Sequence, residues 1–169
     1  MLKAVGRFLT ALNGNAGKSQ IALGVAWGIL LGLVPIGNFF WIVFFIFSFF
    51  FNHNHIVKII VMILMIILSS VTAPLLDLVG WQILHAESLL PLFTTMYNMP
   101  FVPFTKFNNT LVMGGVICGL ALFIPVFAGF MFLIPLYRNK LSPKLRELKF
   151  VKKLTGSSVI KSIDKNLFK

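Results

Sequence analysis

Residues 20–51 read QIALGVAWGILLGLVPIGNFFWIVFFIFSFFF, an almost unbroken apolar run without a single charged side chain. A straight helix of this length would extend about 48 Å, whereas the hydrocarbon core of a bilayer is roughly 30 Å thick. Pro35-Ile36-Gly37-Asn38 interrupts the run, because proline removes a helix hydrogen bond and glycine permits a sharp reversal. The pattern predicts a re-entrant helical hairpin that enters and leaves the membrane on the cytoplasmic side. Two short crossings are the alternative.

The composition of the whole chain is that of a membrane protein. Hydrophobic residues make up 58% and charged residues 11% of the 169 residues, against about 45–50% and 25% in soluble domains. A soluble fold of this size cannot bury so much apolar surface, but lipid can solvate it. We therefore expect a single-domain, all-α polytopic membrane protein.

The net charge of +11 lies at the two ends of the chain. Residues 1–18 carry +3, residues 19–137 are neutral, and residues 138–169 carry +8. Basic ends around a neutral apolar block are typical of positive-inside topology, and they disfavour nucleic-acid binding. We expect both termini to be cytoplasmic in the bacterial inner membrane. The bases expected to contact lipid phosphates are Lys18, Arg138, Lys140, Lys144 and Arg146.

The remaining segments follow from the positions of prolines and apolar runs. The pattern predicts an amphipathic N-terminal helix and turn (1–18), a transmembrane helix kinked at Thr72-Ala73-Pro74 (56–84), an interfacial loop (85–109), a transmembrane helix interrupted at Pro125 and Gly129 (110–137) and a basic amphipathic tail (138–169). Together with the hairpin, two spans return the chain to the side on which it began.

Broken helices and small residues give the candidate sites for lipid or a partner protein. Gly24, Gly28 and Gly32 share one helix face, which lets a second helix approach closely. The breaks at Pro35, Gly37 and Asn38 and at Pro125 and Gly129 resemble the facing broken helices of transporter repeats, and ordinary tight packing is the favoured alternative. Pro74 and Asp77 complete the set, and a carboxylate inside a membrane segment is a functional hypothesis by default.

The other polar groups have simpler interpretations. Lys58 lies near a segment end, where its side chain is expected to extend to the membrane surface. His53 and His55 fit a polar turn better than a metal site, because two ligands are too few. No nucleophile, base or carboxylate pair stands in a catalytic pattern, so the sequence predicts a protein that is not an enzyme and has no cofactor.

Several of these residues resemble a known family. The stretch Ile21–Gly28, followed by Gly32, Pro35 and Gly37, is similar to the opening signature of a bacterial integral-membrane family, the two-thousand-and-sixty-second domain of unknown function. That family continues with an Asn after the hairpin and with Asn-Pro-Thr-x-Pro, where this chain has Ser70-Val71-Thr72-Ala73-Pro74 and so lacks the Asn-Pro. The resemblance extends over about residues 18–138.

The short, basic-tailed form resembles a branch of about 165 residues whose gene tends to be paired with one for a large AsmA-like envelope protein. The resemblance implies a membrane subunit of a lipid-transport assembly that docks this larger partner and handles phospholipid. The alternative from the residues is a small-solute or ion transporter that uses the broken helices as its site.

Overall fold

The computed structural model describes residues 16–141, and all regular elements within this range are helical. The elements are α1 (Lys18–Leu33), α2 (Phe39–Ser48), α3 (His55–Ile67), α4 (Ser69–Leu84), a 3-10 turn (Glu87–Leu89), α5 (Leu90–Tyr97), a second 3-10 turn (Val102–Thr105), α6 (Thr110–Leu136) and a π-helical turn (Tyr137–Leu141). The predicted all-α class is confirmed. The predicted N-terminal helix and most of the basic tail, including Lys144 and Arg146, lie outside the described residues.

Helix α1 is the centre of the fold. It packs against α3 on one side and α6 on the other, and eleven of its sixteen residues are buried. Helices α3 and α6 provide most of the cover over α1, and the helices around α1 leave most of their own apolar side chains exposed. The buried core is therefore centred on this single helix.

The chain reverses direction between α1 and α2, as the proline–glycine break predicts. After α2, the backbone N–H of Asn54 donates to the carbonyl of Gln20 at 3.0 Å, and the Gln20 amide donates to Asn52 at 3.1 Å. The segment that follows α2 is thus back beside the start of α1. Helix α3 then runs parallel to α1, and α6 runs antiparallel to it.

The predicted kink at Pro74 in residues 56–84 is in the wrong place. The helix axis bends by 80° at Leu68, between α3 and α4, and Pro74 lies within the continuous α4. Proline disturbs the turn that precedes it, because its ring meets the carbonyl four residues earlier and it offers no N–H. The carbonyl that loses its donor is that of Ser70, whereas the Thr72 hydroxyl contacts the carbonyls of Leu68 and Ser69 at 3.4 and 3.3 Å.

The predicted interruption of residues 110–137 is also wrong. Helix α6 continues through Pro125, Gly129 and Pro135 without a break. A proline inside a helix removes one hydrogen bond, and the bonds on both sides suffice to carry a long helix past it. The hairpin therefore faces no second broken helix in α6.

Residues 85–109 are more ordered than a loop. They contain α5 and the two 3-10 turns, and Pro91 occupies the first turn of α5. Phe101 and Lys106 adopt left-handed backbone angles, with φ of 69° and 54°, at the two ends of the second 3-10 turn. Prolines shorten the helices of this segment without preventing them.

One helix among the described residues is long and apolar enough to cross a membrane. It extends over Thr110–Asn139, and only 11% of its most apolar stretch is buried within the protein. Helices α3 and α4 reach the required length only as a pair across their bend, and α1 and α2 are apolar but shorter.

Candidate functional site

The hairpin tip is closed by three hydrogen bonds that replace those lost at the break. Pro35 has no N–H, so the carbonyl of Leu31 loses its usual helical donor. The indole Nε1–H of Trp41, on α2, donates to this carbonyl at 3.0 Å. The Asn38 side chain accepts from the Trp41 backbone N–H at 2.8 Å and donates to the Pro35 carbonyl at 2.6 Å.

The turn itself depends on Gly37. Its φ of +88° is a left-handed conformation that favours glycine, and no atom lies within 4 Å of the position a Cβ would take. Asn38 is 4% exposed and caps α2. Gly37 and Asn38 therefore build the turn, and the polar groups freed by the break find hydrogen-bond partners within the hairpin.

A cleft of about 290 Å³ lies between the hairpin tip and the bend that joins α3 to α4. We call it the tip cleft; it is lined by Gly32, Leu33, Val34, Pro35, Ile36, Ile66, Ser69, Ser70, Thr72, Ala73, Leu76 and Leu111. Most of these side chains are aliphatic. The hydroxyls of Ser69 and Ser70 are exposed in the bend. The hairpin thus faces a broken helix after all, but the partner is the bend at Leu68.

The predicted glycine face of α1 packs against α3. A Cβ on Gly24 would lie 2.7 Å from the Asn54 carbonyl oxygen, and one on Gly28 would lie 2.7 Å from Val61 Cβ. A Cβ on Gly32 would collide with Met65. The three glycines therefore allow backbone approach, and Gly32 alone among them also lines the tip cleft.

Asp77 is exposed and accepts a hydrogen bond from the Thr110 hydroxyl in the first turn of α6. A carboxylate at this place also complements the helix dipole. Next to this contact, α4 and α6 cross with Gly80 and Gly114 against each other's backbone. The arrangement gives Asp77 a role in joining the two helices.

A buried cation occupies the opposite end of the hairpin. Lys58 is 1% exposed, and its ammonium donates to the Ser48 hydroxyl at 2.8 Å. The same ammonium lies 4.2 Å from the ring centroid of Phe49 and 4.8 Å from that of Phe45. The expectation that Lys58 reaches the membrane surface is therefore wrong, because α2 folds over it. Among the described residues no carboxylate contacts it.

His53 lies beside this lysine in the turn between α2 and α3. It is 5% exposed, its Nδ1 lies 2.8 Å from the Phe51 carbonyl oxygen, and its Nε2 has no partner in the described part of the chain. Burial lowers the pKa of His53, the Phe51 contact partly offsets this, and the positive charges of Lys58 and His55 lower the pKa further. We call Ser48, His53 and Lys58 the base cluster.

The structure brings together only part of the predicted site. Gly32 and Pro35 line the tip cleft, while Gly37 and Asn38 form the turn beside it. Pro74 does not line the cleft, although its neighbours Thr72 and Ala73 do. Pro125 and Gly129 lie within α6 and outside the lining, and a Cβ on Gly129 would meet nothing within 4 Å.

The basic residues lie at the other end of the molecule. Lys18 is exposed at the start of α1, and Arg138 donates to the Ala16 carbonyl at 2.9 Å. Lys140 falls in the π-helical turn. The base cluster is not predicted by the sequence analysis above. Lys58, an ionisable residue in an apolar segment, is the signal from which it could have been found.

Comparisons with known proteins give one informative likeness. The chain is 26% identical over 145 residues to a protein of Treponema pallidum (strain Nichols) that is described only as uncharacterized. The alignment covers 86% of this chain and 90% of the relative. No protein-family model and no solved structure matches the chain. The resemblance to the family of unknown function therefore stays a prediction.

Proposed function

We propose that this protein is a non-enzymatic subunit of an envelope lipid-transport assembly in the bacterial inner membrane, and that it holds an acyl chain of a phospholipid in the tip cleft. The observation that carries the proposal is the cleft's position. It lies between two helix breaks, each flanked by helices too short to cross a bilayer.

The exposed surface supports a membrane location. Large apolar side chains are exposed on every long helix except α1, with Phe132 of α6 80% exposed, and Phe50 in the turn after α2 is equally exposed. Soluble monomers rarely expose apolar patches of more than a few hundred Å². Lipid is the solvent that suits such a surface, and the basic ends favour a cytoplasmic position for both termini.

The helix lengths support a local disturbance of the bilayer. Helix α1 is about 24 Å long and α3 about 20 Å, both shorter than a hydrocarbon core of roughly 30 Å. A hydrophobic segment that is too short thins the surrounding bilayer or draws flanking groups inward. A lipid beside the breaks then has less hydrocarbon to cross.

The chemistry of the cleft supports an acyl chain as its occupant. Its volume of about 290 Å³ is near the lower limit for small-molecule sites, which suits part of a lipid and not the whole molecule. Its walls are mostly aliphatic, and Ser69 and Ser70 in its lining carry hydroxyls that can donate to an ester carbonyl. A solute or ion transporter would instead need a continuous polar path. Asp77 and Lys58 lie at opposite ends of the fold and do not form one.

The exposed arm α2 offers a surface to a larger partner. Ser48 is the only residue of α2 that is fully buried, and its outward aromatic side chains are free to contact another membrane helix. We propose that the large AsmA-like protein implied by the family resemblance docks here. Co-purification in a mild detergent, lost when Ile46 of α2, which is 57% exposed, is changed to Asp, would support this docking.

The lipid proposal is tested by counting lipids on the purified protein. Native mass spectrometry of the full chain in a mild detergent is expected to detect one retained phospholipid. Ala73→Trp fills the cleft and is expected to remove it. Ile124→Trp, a matched change at a side chain of α6 that is 74% exposed, should leave it in place. Equal retention in both variants would contradict the proposal.

A further inference from the structure

A second pocket lies at the end of the molecule opposite the base cluster. Its volume is about 430 Å³, within the usual range for small-molecule sites. It lies between α5, the end of α4 at Leu84 and the segment that leads into α6 at Asn108. We call it the α5 pocket. None of the roles assigned above uses it.

Aromatic rings form the inner wall of the α5 pocket. Phe107 is 2% exposed and supports the wall, with its ring centroid 6.0 Å from that of Phe93 and 6.5 Å from that of Tyr97. The faces of such rings are electron-rich and attract polarised C–H groups. This wall therefore suits a ligand with a flat apolar side.

Polar groups with unused hydrogen-bonding capacity form the rim. The Thr94 hydroxyl donates to the Leu90 carbonyl at 2.9 Å, which leaves its oxygen as an acceptor. The Asn98 amide donates to the Thr94 carbonyl at 2.9 Å, which leaves its Oδ1 and one N–H unused. Within the described residues, the Tyr97 hydroxyl and the Asn108 side chain have no hydrogen-bond partner. The rim thus offers both donors and acceptors.

No charged side chain lines the α5 pocket. A phosphate or carboxylate would find no cation among these lining side chains to pair with, so the lining favours a neutral ligand. A ligand that fits must be uncharged, must carry hydroxyls that both donate and accept, and must have an apolar face. A sugar ring combines these properties.

We propose that the α5 pocket binds an uncharged sugar ring, either free or as the headgroup of a glycolipid. The ring packs one face of C–H groups on the aromatic wall, and its hydroxyls bond to Asn98, Asn108 and Tyr97. The recognition chemistry does not depend on the tip cleft. With both termini in the cytoplasm, as proposed above, the α5 pocket would open outside the cell, and this position alone rests on the proposed function.

The test is saturation-transfer NMR on the full chain in lauryldimethylamine oxide, a detergent that contains no sugar. The probe is methyl β-glucopyranoside, with glucose 6-phosphate as the charged comparison. We expect transfer to the ring C–H protons of the neutral sugar only. Asn98→Ala and Asn108→Ala should each weaken binding about fivefold, the effect of one hydrogen bond. Thr95→Ala, on the same helix but outside the lining, should not change it.

A second arm distinguishes the source of the ligand. The full chain in nanodiscs is offered a monoglucosyl diacylglycerol, and tighter binding than to the free sugar identifies a glycolipid headgroup. Tighter binding of the free sugar identifies a soluble glycan. The proposal is overturned if neither ligand binds, if the alanine variants bind as well as the original protein, or if the phosphorylated sugar is preferred. Lipid retention in the tip cleft is a separate readout, so failure here leaves the proposed function standing.

Discussion

Lys58 carries a positive charge that the protein solvates with one hydroxyl and two aromatic rings. The hydrogen bond to Ser48 and the contacts with Phe45 and Phe49 all come from α2 or the residue that follows it. The lysine therefore attaches the hairpin arm to α3. Removing the acceptor is costly because the ammonium stays behind, whereas removing the ammonium itself is not.

This asymmetry predicts different outcomes for two single substitutions. Ser48→Ala leaves the buried ammonium without its acceptor and should destabilise the protein by about 1–3 kcal/mol. Lys58→Met keeps the aliphatic stem and removes the charge, so stability should be unchanged or increased. Thermal unfolding in detergent measures both. A larger loss for Lys58→Met than for Ser48→Ala would show that the charge itself is stabilising.

His53 makes the fold sensitive to acid. Burial lowers its pKa in the folded protein, so the unfolded chain takes up a proton at a higher pH than the folded chain does. The free energy of unfolding therefore keeps its full value above about pH 6.5 and decreases as the pH falls below that value. Melting temperatures between pH 7.5 and 5 should fall in the original protein. They should fall less in His53→Gln, and parallel curves would rule out this histidine as the cause.

At the scale of elements, the hairpin is a helix break with its hydrogen bonds restored from within. Trp41→Phe removes the indole donor to the Leu31 carbonyl, which Pro35 has already deprived of its helical partner. We expect a loss of about 1–3 kcal/mol, the cost of a buried acceptor left unsatisfied. Trp81→Phe is the matched control, because Trp81 is 54% exposed. Equal effects of the two changes on thermal unfolding would contradict this account of the tip.

Gly28 of α1 and Gly129 of α6 predict opposite results for the same substitution. Gly28→Ala would put a Cβ 2.8 Å from the Lys58 carbonyl oxygen and 2.7 Å from Val61 Cβ, so overpacking should cost about 1–3 kcal/mol. Gly129→Ala enters open space, and the better helix propensity of alanine should leave stability unchanged or higher. Chemical unfolding of both variants checks this. Similar losses of stability at both sites would show that Gly28 does not set the distance between α1 and α3.

An element can be predicted from the sequence when the residues that determine it are neighbours in the chain. The reversal at Pro35–Asn38 follows from the residues of the turn itself, and the sequence predicts it. The bend at Leu68 has no proline or glycine at its position, and Pro74 and Pro125 lie inside helices that the surrounding turns maintain. The burial of Lys58 depends on α2 returning to α3, a contact between residues ten apart that no local pattern contains.

At the scale of the whole molecule, the fold has two distinct ends. Ala16, Asn54 and Arg138 lie at one end, where the chain of α1 begins and that of α6 finishes. The turn after α4 and helix α5 lie at the other end, beyond the tip cleft. The charge pattern predicts that the first end is cytoplasmic, and the function proposed here requires both termini and the turn at residues 49–54 to share that side.

Cysteine labelling in intact cells tests this arrangement directly. In a Cys118→Ser background, Asn52→Cys reports on the turn after α2 and Glu87→Cys reports on the segment before α5. A membrane-impermeant maleimide should label Glu87→Cys in spheroplasts, and should label Asn52→Cys only after the membrane is permeabilised. Labelling of Asn52→Cys in intact spheroplasts would place the turn outside the cell and contradict the returning hairpin.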